Sequence, residues 1–80
     1  MDYDQDKVDE AVLALLWLTT FQEHGYKRAW KGQDWDVMER LHAKGLIGDP
    51  KGKSKSVPLT DEGAQRSEEL FVQLFRKSAG

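Results

Sequence analysis

Lys51, Lys53 and Lys55 alternate with Gly52, Ser54 and Ser56, so an extended chain carries all three ammonium groups on one face. Cations aligned in this way can approach a single phosphate backbone together. A second group, Tyr26-Lys27-Arg28-Ala29-Trp30-Lys31, interleaves aromatic rings with cations, which is the pattern of a surface that stacks bases while neutralising phosphates. A third pair, Arg40 and Lys44, is four residues apart and falls on one face of any helix that contains it. Together Lys27, Arg28, Lys31, Arg40, Lys44, Lys51, Lys53 and Lys55 are the candidate nucleic-acid-binding residues. The plainer account of the second group has Tyr26 and Trp30 plugging gaps between helices while Lys27, Arg28 and Lys31 stay in water.

Other chemistry finds little support. His24 and His42 are the two histidines, one at an expected helix end and one in mid-helix, without the clustered or i,i+4 spacing of metal ligands. The chain has no cysteine, which removes disulfides and thiolate metal sites. The hydroxyls have no nucleophile-elbow context, and the carboxylates concentrate at helix starts, where capping explains them. Gly45, Gly48 and Gly52 are spaced for a helix stop and a turn rather than for a phosphate cradle. No catalytic, metal-binding or cofactor-binding residue stands out, no small-molecule ligand is indicated, and the chain is not expected to be an enzyme.

Charge is segregated along the sequence although the net value is only −2. Residues 1–23 hold one lysine against six acids, residues 24–55 hold eight Lys or Arg against four acids, and residues 56–80 hold three against four. The middle of the chain is thus the basic part, and either a solvated surface or a functional patch accounts for it. The acidic start, MDYDQDKVDE, is unlike a signal peptide, and no apolar run reaches the roughly 18 residues needed to span a bilayer. A soluble, cytoplasmic protein is expected, with no membrane partner.

Eighty residues make one domain, 1–80, with 1–5 and 78–80 expected to fray. Three helices are predicted, near Asp6 to Glu23, Asp34 to Lys44 and Asp61 to Lys77. The first, capped by Asp4 or Asp6, has a stripe of Val8, Ala11, Val12, Leu15, Leu18 and Thr19, widened by Leu13, Leu16, Trp17 and Phe21. His24-Gly25 is expected to end it. The second, capped by Asp34, turns Trp35, Met38, Leu41 and His42 inward, and Gly45 stops it in a left-handed conformation with Leu41 against Leu46. A two-stranded hairpin follows, Leu46-Ile47 returning as Ser56 to Leu59, with Pro58 on an edge and Val57 and Leu59 facing the core. Thr60 caps the third helix, whose inward stripe is Ala64, Ser67, Leu70, Phe71, Leu74 and Phe75, with Glu62 paired to Arg66.

The fold class is mainly α with a small β-hairpin, a three-helix winged-helix-like domain. Over Leu41 to Gly63 the order L-H-A-K-G-L-I, basic hairpin, L-T-D-E-G resembles the corresponding part of MarR-type and PadR-type winged-helix regulators. That resemblance implies a reading helix from Trp35 to Lys44 and a wing carrying Lys51, Lys53 and Lys55. Over nearly its whole length the chain also resembles a family of short bacterial proteins of unknown function, through D-K-V-D-E-A-V-L-A-L-L, R-A-W-K-G, D-W-D-V, R-L-H-A-K-G-L-I and K-S-V-P-L-T-D-E-G. This second likeness implies a compact cytoplasmic protein and brings no catalytic residues.

Two features oppose groove binding. His24 to Gln33 is too short for a supporting helix, and Asp34, Asp36 and Glu39 would face phosphate at the front of the reader. Two functions therefore stand side by side, a regulatory or weak nucleic-acid-binding module and a protein-interaction or self-association module without DNA binding. For the latter a homodimer is expected, with Leu13, Trp17, Phe71 and Phe75 as its interface residues.

Overall fold

Asp4 opens the first helix by accepting a hydrogen bond from the Lys7 amide at 3.2 Å, and α1 spans Gln5–Leu16. The computed structural model describes residues 2–23 and 25–77. The placement of His24 at a helix end and the fraying of Ser78, Ala79 and Gly80 concern residues outside that range. Gln5 is the first helical residue.

The helix is also shorter than its apolar pattern suggests. It tightens into a 3₁₀ turn at Trp17–Thr19 and gives way to strand β1, Phe21–Glu23, where helix was expected. Thr19 and Thr20 explain the stop. Their hydroxyls donate to the Leu16 carbonyl at 3.3 and 2.8 Å, the acceptor that the Thr20 amide would need to continue the helix. Thr20 is extended, at φ −70° and ψ 134°. Gly25 then serves a hairpin instead of a helix end, at φ +83° in the connection to β2, Tyr26–Trp30. Phe21 lies opposite Arg28 and Glu23 opposite Tyr26.

The buried face of α1 is rotated from the expected stripe. Asp9, Leu13, Ala14 and Leu16 are inside, Val8 and Val12 pack at the margin, and Leu15 and Leu18 are exposed. Leu13 is therefore core rather than interface. The Ser67 hydroxyl donates to its carbonyl at 2.6 Å and joins the first helix to the last.

Helix α2, Trp35–Ala43, starts where the Val37 amide donates to the Asp34 carboxylate at 3.3 Å. It buries Val37, Met38 and Leu41, whereas Trp35 and His42, expected inward, are exposed. Gly45 has φ +76°, the Leu46 amide donates to the Leu41 carbonyl at 3.1 Å, and the Gly45 amide donates to that of His42 at 2.9 Å. These two bonds are the Schellman pair expected of this stop.

Ile47 makes an isolated bridge to Leu59, and β3, Ser56–Pro58, pairs with β2. The result is a three-stranded antiparallel sheet in the order β1-β2-β3, in place of a free two-stranded hairpin. Strand β2 offers a longer partner than Leu46-Ile47, which the Asp49-Pro50 turn cuts short. Ala29 faces Val57 across the pair, and Val57 and Leu59 are buried as expected.

Thr60 accepts from the Gly63 amide at 2.9 Å and caps α3, Asp61–Phe75. A Cβ at Gly63 would overlap the carbonyl oxygen of Leu46, so the helix crosses that loop at a distance only glycine permits. Gly63, Ala64, Ser67 and Leu70 are buried and Phe71 is half-buried. Leu74 and Phe75, expected inward, are exposed because α3 runs past the elements that cover its first turns. Arg66 pairs with Glu69 at 3.8 Å rather than with Glu62. The core formed by the three helices and the sheet holds Leu13, Leu16, Met38, Leu41, Ile47, Val57, Leu59 and Leu70.

Candidate nucleic-acid interface

The basic loop is held in shape by backbone groups and by one of its neighbouring lysines. Gly48 donates its amide to the Pro58 carbonyl at 2.9 Å, and the Asp49 carboxylate accepts from the Lys51 amide at 2.9 Å. Pro50 is buried. The Lys31 ammonium donates to the carbonyls of Pro50 and Gly52 at 2.7 and 2.8 Å, and the Lys31 amide donates to the Lys55 carbonyl at 3.0 Å. Lys31 is therefore a strut inside the loop rather than a contact group. Lys51, Lys53 and Lys55 are exposed, and among the described residues their ammonium groups have no hydrogen-bond or ion-pair partner.

Next to that loop lies the outer face of the sheet. Strand alternation turns Ala29 and Val57 into the core and places Phe21, Tyr26, Arg28, Trp30, Ser56 and Pro58 together on the opposite side. The Arg28 guanidinium is fixed against β3: Nε donates to the Ser56 hydroxyl at 2.8 Å and Nη2 to the Ser56 carbonyl at 3.1 Å. The Phe21 and Trp30 rings are 5.4 Å apart, centre to centre, and tilted by 37°. Tyr26 and Trp30 keep 68% and 52% of their surface in solvent. Plugging gaps between helices, the plainer expectation for both, is not what they do. Lys27 points to the other side of β2, where its ammonium sits 5.4 Å from the centre of the half-buried Trp17 ring.

Arg40 and Lys44 are committed elsewhere. Arg40 Nη2 approaches one oxygen of Asp9 at 2.7 Å and its Nε lies 2.9 and 3.0 Å from the two oxygens, while the Lys44 ammonium reaches Asp9 at 2.9 Å and Asp6 at 3.2 Å. Asp9 is only 1% exposed. Burial pushes its carboxyl up, but the hydrogen bonds and charges of Arg40 and Lys44 outweigh this and hold it below the usual carboxylate range. The Asp9 hydrogen bond in turn raises Lys44. These cations lock α2 to α1, so the expected reading helix cannot spend them on phosphate. Over Leu41 to Gly63 the chain forms a helix end, a glycine stop, a loop and a capped helix, and Arg40 and Lys44 at the end of α2 are paired with Asp9.

A cleft of about 320 Å³ opens between the β1-β2 connection and the start of α3, lined by Gln22, Tyr26 and Lys27 on one side and Asp61, Gln65 and Glu68 on the other. Its mixed charges favour no one ligand class. Among the described residues no group of three or more His, Asp or Glu side chains could hold a metal ion, and no helix is long and apolar enough to cross a membrane.

Two residues of this arrangement, Asp9 and Phe21, were not among the candidate site residues. Asp9 carried a signal, since it stands four and seven residues before Leu13 and Leu16 and thus continues their stripe. Phe21 carried none, because its place beside Trp30 depends on the strand that replaces the end of the first helix.

The model of the family described as "Domain of unknown function (DUF6429)" matches residues 4–77. The chain is also similar to "Uncharacterized protein y4hR" of Sinorhizobium fredii, 60% identical over 77 residues that cover 96% of this chain and all of that protein. No solved structure matches.

Proposed function

The chain belongs to the DUF6429 family of domains of unknown function, and from the surface of this member we propose a weak nucleic-acid-binding module that contacts phosphates through its basic loop. One observation carries the reading: Lys51, Lys53 and Lys55 project from a loop tethered by Lys31, next to an exposed aromatic sheet face. On this reading the loop plays the part of a wing, and the charges of α2 argue against that helix as the contact element. Asp34 and Asp36 are exposed at its start, and Arg40 and Lys44 are paired within the fold. A loop of three lysines positions without specifying sequence, which suits weak, general binding in the cytoplasm.

The test is binding to mixed-sequence oligonucleotides over a range of salt. Replacing Lys51, Lys53 and Lys55 by alanine flattens the slope of log K against log salt by up to about 0.9 for each duplex phosphate no longer neutralised, or about 0.7 for a single strand. A slope identical in the parent and the triple variant rejects the loop as the phosphate-binding element.

A second reading, self-association, is favoured by Val72, Leu74 and Phe75, which stay 45–49% exposed along the last turns of α3. The Phe71 and Phe75 rings are 5.4 Å apart and form one apolar ridge there.

A further inference from the structure

We propose that the ligand is single-stranded rather than duplex nucleic acid, with bases stacked on Tyr26 and Trp30 across the outer sheet face and the strand continuing onto the basic loop; this rests on the phosphate-binding reading above. The two rings lie on the same face of β2, four residues and so roughly 13 Å apart. About four nucleotides at 3.4 Å each span that distance. Neither ring is needed to fill the core, since Ala29 and Val57 supply the inward side of the same strands. Phe21 packs against Trp30 with the rings tilted by 37°, and Trp30 still keeps 52% of its surface in solvent.

Between the two rings stands Arg28, held by Ser56 through Nε and Nη2, and among the described residues Nη1 has no hydrogen-bond partner, so it can meet a phosphate or a base edge. Charge sets the direction of the track. The Lys31 amide bonds the Lys55 carbonyl beside Trp30, so the lysines flank the Trp30 end, while Glu23 lies opposite Tyr26 at the other end. A duplex hides the faces of its bases and meets only the cations, whereas a single strand uses both the cations and the rings.

Fluorescence anisotropy with a labelled 12-nucleotide oligothymidylate, beside a mixed-sequence duplex of equal length, tests this. The parent chain is expected to bind the single strand more tightly. Trp30→Ala and Tyr26→Ala should each weaken it by about tenfold and leave duplex binding within about twofold, because stacking is removed and charge is not. Trp30→Phe should restore most of the single-strand affinity, and circular dichroism of each variant checks that the sheet is intact. Equal binding to both ligands, unchanged by Trp30→Ala, overturns the single-strand assignment and leaves the phosphate reading standing. Absence of salt-sensitive binding to either ligand rejects both, and capture of a peptide on this face without any oligonucleotide binding assigns the rings to a protein partner instead.

Discussion

Asp9 shows how much one side chain can decide. Its carboxylate is nearly sealed from water, and it holds Arg40 and Lys44 against the first helix. Removing one partner of a buried ion pair costs about 3–5 kcal/mol, but here the cations are partly in solvent and can rehydrate. Asp9→Asn is therefore expected to destabilise by about 1–3 kcal/mol at neutral pH. The sign with pH follows from the depressed native value: the unfolded chain takes up a proton first, near pH 4, so the contribution is complete above that and is lost as pH falls through the native value. Urea melts at pH 7, 4 and 3 should show the parent losing this increment and the variant having none to lose. A parallel decline in both would assign the acid sensitivity to other carboxylates. Gly63 and Gly45 form a second contrast. Ala is the better helix former by about 1 kcal/mol, yet at Gly63 its Cβ overlaps the Leu46 carbonyl, so Gly63→Ala should cost about 2 kcal/mol or more in chemical denaturation. Gly45 has open space around it, and Gly45→Ala should cost about 1–2 kcal/mol through its positive φ alone.

At the scale of elements, the rotation of α1 is the finding most open to mutation. Leu16 is buried and Leu18 is exposed, the reverse of the weighting that simple helical periodicity assigns to them. Leu16→Ala should cost about 2–5 kcal/mol and Leu18→Ala less than about 0.5 kcal/mol. Equal effects in thermal or urea unfolding would return the helix to its expected orientation. Leu41→Ala in α2 belongs with the first group, because Leu41 is core and also closes the Schellman turn through its carbonyl. Helix starts were legible in the sequence because Asp4, Asp34 and Thr60 cap through their own side chains three residues ahead. The end of α1 was less so, since two threonines bonding back to Leu16 compete with an apolar pattern that runs on to Phe21.

For the whole molecule, the open question is what covers the apolar ridge of α3. A chain of this size buries a modest share of its surface, and Val72, Leu74 and Phe75 lie beyond the reach of its own core. Self-association through that ridge predicts a sedimentation mass that rises with protein concentration. Phe75→Glu should hold the mass at one chain, because a charge placed in a dry interface loses its hydration without compensation, while the circular dichroism spectrum stays unchanged. A parent that remains monomeric at high concentration removes this reading. Trp17 belongs to a different region, half-buried beneath Lys27, and Leu13 is wholly internal, so of the expected interface residues Phe71 and Phe75 alone flank the ridge.

The sequence by itself determined what depends on neighbours within a few residues: three capped helices, the left-handed glycine stop at Gly45, the edge position of Pro58 and the basic character of the Lys51 to Lys55 loop. Tertiary structure alone decided what depends on partners far along the chain. Arg40 and Lys44 read as free cations until Asp9, more than 30 residues earlier, was seen to bind both. Tyr26 and Trp30 read either as a stacking surface or as gap fillers until Phe21–Glu23 and Ser56–Pro58 paired with β2 and left both rings exposed. The physical reason is the same in both cases: a charge or a ring has the same composition and spacing whether it is satisfied or exposed, and only the packing of distant segments settles which.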